Sequence, residues 1–579
     1  MTTPRALIAL LPLAALVCVS SAAENEAEKL AAATAAAKAA NAQTEPMAAG
    51  KFQPTWESLQ QFETPEWFRD AKFGIWAHWG PQCQPEMGDW YAKKMYQPTT
   101  TDSKTHETVP NPDYAFHVAR YGHPSTFGFK DVIHTWKAER WDPVKLIALY
   151  KRAGAKYFMA LANHHDNLDL YDSKYQPWNS VNVGPKKDLI GGWAAAARQA
   201  GLRFAVSVHA SHAWSWYETA QGSDPAGPRK GVSYDGNLTA ADGKGKWWDG
   251  LDPQDLYAQN HPTSDANWEW KPKTPAASAD SPDPRLPSTE YLNKYYNRTV
   301  DLINRYDPDM IYFDDSVLPF YPVSDVGLKI AAHYYNHNLA THGGKLEAVI
   351  DGKKLNPDQR RTMVYDIERG KSQDILPQPW QTDTCIGDWH YRRSLYEQDR
   401  YKKSGDVIRM LIDIVSKNGN LMLNIPVRGE GTIDDAEVNL LEDIAAWMDV
   451  NSEAIYATRP WKIYGEGPST QKAAEKGQFD GQKDVAPFTA EDIRFTTSKD
   501  QKTLYALALG WPTDGKIVIK SLATGSAHYA GELGTVKVLG TEEKVTTQRS
   551  AEGLVVTLPA NTQPTKGQVA ACVVKISLP

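Results

Sequence analysis

The central part of the chain alternates between helical and strand-like patterns of apolar residues. Three segments each place an amphipathic helix before a turn and then a short apolar strand: 142–163, 187–210 and 288–315. In the first, Asp142 can cap a helix that starts at Pro143, and Gly154 can end it. Continuous apolar strands are typical of a parallel sheet that helices cover on both faces. The pattern predicts an α/β domain, as a barrel or as an open doubly wound sheet.

Ionisable residues at the ends of the apolar strands favour the barrel. In (β/α)8 barrels the site forms at the carboxyl ends of several strands at once. No Gly-x-Gly-x-x-Gly loop opens a helix, which argues against the nucleotide-binding alternative. Four strands end in ionisable groups: His78, His164-His165-Asp166, His209 and Asp314-Asp315. We therefore expect a (β/α)8-type catalytic barrel over residues 53–455, with an insertion at 212–285 that shapes the pocket.

The two ends of the chain differ from the centre. Short β runs from residue 456 onward predict a small C-terminal antiparallel β-sandwich over 456–579. Residues 1–23 have the pattern of a cleavable export signal and are too short to span a membrane, so we expect a periplasmic or secreted protein. The Ala-rich stretch 24–52 predicts a lone helix or a flexible spacer without chemistry. The join before the sandwich is expected at Pro460, Gly465, Gly467 and Pro468.

Composition and charge narrow the classes of function only slightly. The 579 residues carry a net charge of -7, which gives no general case for binding nucleic acid or anionic membranes. The 20 Trp and 27 Tyr side chains offer flat apolar faces that suit sugars, but a large packed core explains them at least as well. Three cysteines follow the signal, an odd number without metal-binding spacing: Cys83, Cys385 and Cys572.

Two groups of strand-end residues are candidates for chemistry. Asp314 and Asp315 close an apolar strand, where ionised carboxylates are costly to bury, and adjacent strand residues point opposite ways, so at most one should face a substrate. The alternative is a pair of solvated loop residues or a helix cap. The histidines at 164–165 suit hydrogen bonding to sugar hydroxyls better than metal binding, because neighbouring side chains diverge and no third ligand stands at a known spacing. They could also be structural histidines.

Several long motifs together resemble the α-L-fucosidases of glycoside hydrolase family 29. They appear in the right order between about residues 55 and 450: WFRDAKFGIWAHWGPQCQPEMGDWYAKKMY at 67–96, YKRAGAKYFMALANHHDNLDLYDSKYQPWNSVNVGPKKDLI at 150–190, PDMIYFDD, and SGDVIRMLIDIVSKNGNLMLNIPVRGEGTID at 404–434. The resemblance implies that Asp314, after Tyr312 and Phe313, is the nucleophile. The further residues that it places in the fucose pocket are His78, Asp89, Trp90, His164, His165, His209 and Tyr312.

The acid/base residue is less directly indicated by the resemblance. Some members have a Glu directly after a Trp where this chain has Trp380 and Gln381, and an amide cannot supply a proton. The run Asp366–Gly370 resembles the Glu-Arg-Gly run of other bacterial members, which points to Glu368 as the acid/base and to Arg369 as a neighbour in the site. Trp380 is expected in the pocket as well. The alternative for Glu368 is a pairing with Arg369 or a capping role.

These assignments predict an exo-acting, retaining α-L-fucosidase that removes terminal α-L-fucose from oligosaccharides or glycoconjugates through a fucosyl-enzyme intermediate. The chemistry implies no cofactor and no metal. Two alternatives stay open at this point. One is a non-catalytic fucose-binding protein on a degenerate barrel, and the other is a related glycosidase for another sugar, such as a β-galactoside or an α-L-galactoside. The sequence leaves linkage preference and oligomeric state open.

Overall fold

The core of the protein is a closed barrel of eight parallel strands. The computed structural model describes residues 13–258, 261–264, 267–271, 283–470, 488–560 and 562–579. The barrel strands are β1 (Phe73–Ala77), β2 (Tyr157–Asn163), β3 (Arg203–Val208), β4 (Met310–Ser316), β5 (Val349–Lys353), β6 (Val364–Asp366), β7 (Trp380–Cys385) and β8 (Gly419–Asn424). Strands that follow each other along the chain are neighbours, and β1 pairs with both β2 and β8 to close the ring. The predicted (β/α)8-type barrel is confirmed.

The barrel interior is packed at the end where the strands begin. Gly74 of β1 faces Tyr157 of β2 in parallel register. A Cβ atom on Gly74 would lie 2.5 Å from the Tyr157 ring, so the ring occupies the space that a side chain would take. The Tyr157 hydroxyl donates to Gln381 Oε1 at 2.8 Å. These contacts close the barrel from below and leave the opposite end for a cavity.

Long helices cover the outside of the barrel. Asp142 caps the first of them and accepts from the Lys145 amide at 3.0 Å, as the sequence predicts. The long helices are Pro143–Arg152, Leu189–Gln199, Thr289–Tyr306, Val326–Thr341, Ser404–Ser416 and Asp435–Asn451. The shorter α-helices are Trp56–Leu59, Glu66–Ala71, Tyr91–Lys94, Pro112–Arg120, Phe129–Thr135, Ala213–Trp216, Pro253–Tyr257 and Arg393–Glu397, and Thr99–Thr101 pairs with Thr108–Pro110 in a short hairpin.

The N-terminal helix, Leu13–Asn41, is docked against the body of the protein. Leu30 and Ala37 are buried, and the Thr34 hydroxyl donates to the Gly250 carbonyl at 2.7 Å. The sequence left 24–52 as a helix or a spacer; the structure shows a helix, and it is not a lone one. The first twelve residues of the predicted export signal lie outside the described residues. In the described part of the chain, no helix combines the length and the apolarity that a membrane span requires.

The C-terminal region forms two antiparallel sheets, which confirms the predicted architecture. Its strands are β9 (Arg459–Glu466), β10 (Ile493–Thr497), β11 (Thr503–Ala508), β12 (Lys516–Ile519), β13 (Val536–Val538), β14 (Thr546–Ser550), β15 (Gly553–Thr557) and β16 (Cys572–Ser577). One sheet has the order β9-β10-β11-β16-β13 and the other β12-β15-β14. Pro460 and Gly465, expected in the join, instead lie in β9, whose register shifts between them. Edge strands tolerate proline because one side of their backbone is unpaired.

A buried group of three charges joins the C-terminal sheet to the barrel. Arg494 on β10 donates to Asp413 Oδ1 at 2.6 Å, and Lys417 lies 2.8 Å from Asp413 Oδ2. Asp413 belongs to the barrel helix Ser404–Ser416. Burial opposes the ionisation of Asp413, but the charges of Lys417 and Arg494 outweigh it and hold the pKa well below the usual range. The barrel and the sheet therefore share one fully buried ionic contact.

Candidate active site

A cavity of about 470 Å³ opens at the carboxyl ends of the barrel strands. The strand ends that the sequence singled out meet there, because parallel strands of a barrel finish at the same rim. Predicted site residues that line the cavity are His78, Asp89, Trp90, His164, His209, Tyr312, Asp314, Glu368 and Arg369. His165 is not among the lining residues, but it contacts Asp314, which is. Trp380 is elsewhere in the barrel.

Asp314 near the end of β4 is held by three basic side chains. Its Oδ2 lies 3.1 Å from His165 Nε2 and 3.1 Å from His209 Nδ1, and its Oδ1 contacts the Lys353 ammonium. Burial opposes ionisation of Asp314, but the Lys353 ammonium, followed by the contacts with His209 and His165, outweighs it and holds the pKa of Asp314 well below the usual range. Asp314 is therefore an ionised carboxylate at neutral pH.

The adjacent Asp315 has a different environment. Both of its carboxylate oxygens accept from the Ser211 hydroxyl at 2.9 Å, and His212 Nε2 lies 3.1 Å from Oδ1. Its side chain is 1% exposed, compared with 17% for Asp314. Of the pair, Asp314 is the one that contacts Lys353 and the pocket histidines, in keeping with the opposite orientation of neighbouring strand residues.

Lys353, the last residue of β5, is a site residue that the sequence analysis missed. Its Nζ contacts Asp314 and lies 2.8 Å from Glu368 Oε2, and its side chain is 7% exposed. Burial opposes the charged form, but Asp314 and Glu368 raise the pKa of Lys353 well above its usual value. The sequence does contain a signal, because Lys353 ends the strand segment AVIDGK as the predicted histidines and aspartates end theirs, although Asp351 and Gly352 interrupt its apolar run.

Glu368 follows β6 and reaches the same ammonium from the other side. It lies 54 residues beyond Asp314 in the chain, so the fold alone brings them together. Because both carboxylates contact one nitrogen, their nearest oxygens are separated by two hydrogen-bond lengths at most, on the order of 5 Å. Arg369 next to it has a positive φ of 49°, and its guanidinium lies 3.0 Å from Cys385 Sγ and over the Trp389 ring.

Four imidazoles form one wall of the cavity. The ring centroid of His78 lies 5.1 Å from that of His164, 5.0 Å from that of His209 and 4.7 Å from that of His390. Burial, followed by the neighbouring histidines, holds the pKa of His78 and of His164 well below the usual value. Burial also lowers the pKa of His209 to about 4, against the opposing charge of Asp314. The rings of His78, His164 and His209 are therefore neutral, so each of these three offers both a donor and an acceptor nitrogen.

Asp89 and the missed residue His390 support each other beside this wall. The Asp89 carboxylate accepts from the backbone amides of His390, at 2.8 Å, and of Trp389, at 3.2 Å. Burial opposes ionisation of Asp89, but the contacts with His390 lower its pKa. The backbone bonds fix the segment that places Trp389 and His390 in the cavity. His390 carries no strand-end pattern, since it lies in the loop after β7.

The imidazole wall also contains donor atoms close enough to hold a cation. One ring nitrogen each of His78, His164 and His209 lie within 4.8 Å of one another. The sequence shows no third ligand at a known spacing from the pair at 164–165, but the fold brings His78 and His209 close to His164. Sequence spacing could not reveal this group, because its members come from three different strands. Neutral imidazoles serve sugar hydroxyls as well as metal ions.

Comparison with known proteins identifies the family of this chain. A family model described as alpha-L-fucosidase matches residues 39–453, and a model of the alpha-L-fucosidase C-terminal domain matches residues 482–577. The chain belongs to the α-L-fucosidase family. The resemblance seen in the sequence motifs is thereby confirmed, and with it the class of enzyme, a glycoside hydrolase.

The relatives cover nearly the whole chain at low identity. The tissue alpha-L-fucosidase of Rattus norvegicus is 25% identical over 530 residues, which are 90% of this chain and 91% of the relative. The alpha-L-fucosidase of Branchiostoma floridae is 26% identical over 477 residues, 81% of this chain and 84% of the relative. The structure of Thermotoga maritima alpha-fucosidase in complex with fucose is 25% identical, with a TM-score of 0.61 over 91% of this chain and 100% of that one.

Aromatic side chains complete the pocket of this α-L-fucosidase family member. The Trp76 ring lies 5.0 Å from Tyr312 and 5.3 Å from Trp389 at the bottom of the cavity. Trp90 stands at the mouth and is 42% exposed, which is unusual for so large an apolar ring. Trp268, from the insertion after β3, also lines the cavity and stacks on His212 at 3.7 Å. The insertion thus contributes to the pocket, as expected.

The structure contradicts the placement of Trp380 in the pocket. Trp380 is the first residue of β7 and is fully buried, and its indole donates to the Lys417 carbonyl at 2.8 Å. The first residue of a barrel strand lies at the closed end, opposite the cavity. Gln381 follows it inside the barrel, where it accepts from Tyr157 and donates to Asp351. Neither residue can reach a substrate in the pocket.

Three further buried carboxyl groups lie next to the catalytic candidates, and one of them, Asp383, lines the cavity. Asp351, Asp366 and Asp383 come from β5, β6 and β7, and all three are fully buried. Burial, and then the charge of Glu368, raises the pKa of Asp383 to about 7. Burial and the charge of Asp383 raise the pKa of Asp351 and of Asp366 well above the usual value. This part of the fucosidase barrel is therefore largely neutral below pH 7, and sequence reasoning did not find it.

Proposed function

We propose that this family member is an exo-acting, retaining α-L-fucosidase that hydrolyses terminal α-L-fucose from oligosaccharides or glycoconjugates. The observation that carries the proposal is the shared contact of Asp314 and Glu368 with Lys353 at the base of the cavity. It puts the two carboxylates close to the separation of about 5–5.5 Å that retaining enzymes use, and well short of the roughly 6.5–9.5 Å of inverting ones.

The roles follow from the environments of the two carboxylates. Asp314, ionised, attacks the anomeric carbon while Glu368 gives a proton to the leaving oxygen, and a fucosyl ester of Asp314 results. Glu368 then takes a proton from water, which attacks the same carbon and releases Asp314. Two inversions at one carbon return the original anomeric configuration. The step needs no group beyond these side chains.

The walls of the cavity fit a single deoxy sugar. The neutral rings of His78, His164 and His209 can donate to and accept from sugar hydroxyls. Trp76 and Tyr312 offer an apolar surface for the C5 methyl group, a preference worth roughly 1–3 kcal/mol for a group of that size. The packed barrel core closes the cavity below, so a sugar enters only as the end of a chain, which supports exo action.

The proposal also places the protein outside the cytoplasm. It is supported by residues 1–23, in which a positively charged start is followed by an apolar run and then by small residues, as in an export signal. Edman sequencing of the protein recovered from the periplasm or medium should begin near residue 23. Recovery in the cytoplasm with residue 1 intact would contradict this part of the proposal.

Azide rescue tests the two catalytic roles separately. Asp314→Gly should lose turnover of p-nitrophenyl α-L-fucoside and recover it with azide, giving β-fucosyl azide. Glu368→Ala should give α-fucosyl azide, because azide then replaces water in the second step. With wild type, proton NMR of the first product formed should show α-L-fucose. Initial release of β-L-fucose would refute the retaining mechanism.

A matched pair of substitutions tests the acid/base assignment. Glu368→Gln should slow hydrolysis of an unactivated fucosyl disaccharide by about 10²–10⁴ and affect a dinitrophenyl fucoside far less. Glu269→Gln makes the same chemical change at the rim, where Glu269 contacts Lys354, and should change the rate less than about twofold. Equal losses on both substrates would mean that another carboxyl group supplies the proton.

Two outcomes would favour the alternative functions. If wild type turns over no fucoside and yet L-fucose raises its thermal stability, the protein is a fucose-binding protein. If another sugar in a panel of nitrophenyl glycosides is cleaved faster than α-L-fucoside, the substrate assignment is wrong.

A further inference from the structure

We propose that Lys353 is a positioning residue that couples the two catalytic carboxylates in turn. It holds Asp314 ionised for attack, and once Asp314 is esterified its ammonium acts on Glu368 alone and favours the base form that the second step needs. The inference rests on the proposed function and extends it to a residue to which no role has been assigned.

The geometry leaves the Lys353 ammonium little freedom. Its Nζ contacts Asp314 and lies 2.8 Å from Glu368, and it stands 5.4 Å from the centroid of the Tyr312 ring. The Lys353 backbone is fixed on both sides of β5, paired with Ser316 of β4 and with Asp366 of β6. A side chain that is 7% exposed and anchored in this way cannot turn towards solvent.

The charges around Lys353 show that it is the cation which both carboxylates share. Asp314 faces it from β4 and Glu368 from the loop after β6, and the ring of His209, which follows β3, is close enough for the Lys353 charge to lower its pKa. Asp383 and Asp366 face it from β7 and β6, but burial raises the pKa of each and favours the neutral form. His209 is itself neutral near pH 7, because burial lowers its pKa to about 4. Arg369 contacts Cys385 instead of either carboxylate.

Esterification changes the charge balance at this one nitrogen. In the first step the bond from Asp314 oxygen to the anomeric carbon forms, the bond to the leaving oxygen breaks, and Glu368 gives its proton to that oxygen. Asp314 thereby loses its negative charge. Lys353, which keeps all its protons, then faces the Glu368 carboxylate without a competitor. In the second step a water proton passes to Glu368 as the water oxygen replaces Asp314 on carbon.

A purely structural lysine would behave differently. If its role were only structural, replacing Lys353 would lower activity and stability together, without changing the pH at which each carboxylate ionises. An opposite charge within 4–6 Å typically moves a carboxyl pKa by 1–3 units, so removing the ammonium should leave a clear shift in pH dependence. The pH profile is therefore the readout that separates the two roles.

The first test follows inactivation by 2-deoxy-2-fluoro-α-L-fucosyl fluoride. Its fluoride leaves without a proton from Glu368, so the rate at each pH reports ionised Asp314. In Lys353→Met the acidic limit should move upward by roughly 1–3 pH units relative to wild type. Lys353→Arg keeps the charge and should stay within about half a unit of wild type. An unmoved limit in a folded Lys353→Met would overturn the proposal.

The second test uses a background with less buried charge, where the lysine substitution is easier to accommodate. In Asp314→Gly the ammonium acts on Glu368 alone, so the alkaline limit of azide-rescued turnover should lie at a lower pH than the alkaline limit of wild-type turnover. Adding Lys353→Met to this variant should move the alkaline limit of azide-rescued turnover to a higher pH again. No difference between the single and double variants would also overturn the proposal. If wild type itself does not react with the fucosyl fluoride, the proposed function fails; if it reacts and neither limit moves, only the role of Lys353 fails.

Discussion

Replacing Arg298 should destabilise the protein and displace the histidine wall from a distance. Arg298 lies on helix Thr289–Tyr306 and makes two bonds to Asp169, at 3.0 and 2.7 Å, with 3% and 0% of the two side chains exposed. Asn163 at the end of β2 donates to Asp169 at 3.0 Å and accepts from the His209 amide at 3.0 Å. A chain of buried hydrogen bonds thus connects the outer helix to His209, which contacts the proposed nucleophile Asp314.

The size of the effect follows from burial. Arg298→Met leaves the Asp169 carboxylate buried without its cation, which costs about 3–5 kcal/mol of unfolding free energy. A shift of about 1 Å in a catalytic group can cost roughly 10²-fold in rate, so kcat/KM should fall by at least about tenfold well below the unfolding temperature. Denaturant unfolding and kcat/KM on p-nitrophenyl α-L-fucoside measure the two effects.

A control on the same helix separates burial from charge. Arg305 pairs with Asp172 at the surface, where 38% and 54% of the side chains are exposed, and Arg305→Met should cost less than about 1 kcal/mol. Removing both buried partners, in Arg298→Met with Asp169→Leu, should restore part of the loss because no charge is then stranded. Equal costs for the buried and the surface arginine, or a double variant with simply additive losses, would refute the reasoning.

Three more predictions follow from the fold and the pocket. Trp90→Ala should raise KM several-fold and lower the free energy of unfolding by less than about 0.5 kcal/mol, because Trp90 is exposed at the mouth of the cavity. The buried Trp380→Ala should lower the free energy of unfolding by about 3–5 kcal/mol and leave the KM of the folded fraction unchanged. The reverse pattern would mean that Trp380 belongs to the site. Gly250→Ala, at a φ of 96° and with its Cβ 2.6 Å from the Ala27 carbonyl, should release the N-terminal helix and expose it to limited proteolysis, unlike wild type. Because burial raises the pKa of Asp383 from 3.8 to about 7, its stabilising contribution is complete below about pH 4 and is lost as pH rises through 7. Asp383→Asn should flatten the decline of the melting temperature over that range, and an unchanged slope would contradict the shift.

The positions of the strand-end residues were predictable because the carboxyl ends of all strands in a parallel barrel lie at the same rim. His78, His209 and Asp314 each follow an apolar run, and the runs were enough to bring them to one rim. Lys353 follows the same rule, but a single lysine at the end of a strand is usually exposed on the protein surface. Trp380 was misplaced because the pattern did not show at which end of its strand it would lie. The buried acids of β5 to β7 gave no signal, since a lone aspartate in a sequence does not reveal its burial.

The ionic contact among Arg494, Asp413 and Lys417 affects what happens when the barrel and the C-terminal sheets are expressed separately. A chain that stopped before the β-sheet region would take Arg494 away from Asp413 and expose an apolar face, and the isolated sheet would carry Arg494 without the carboxylate against which it is buried. Accessory sugar-binding modules on flexible tethers can be removed, exchanged or fused to other enzymes with little penalty. Here the second domain functions as part of the barrel's own exterior, and grafting it onto another hydrolase would require transplanting the helix Ser404–Ser416 with it.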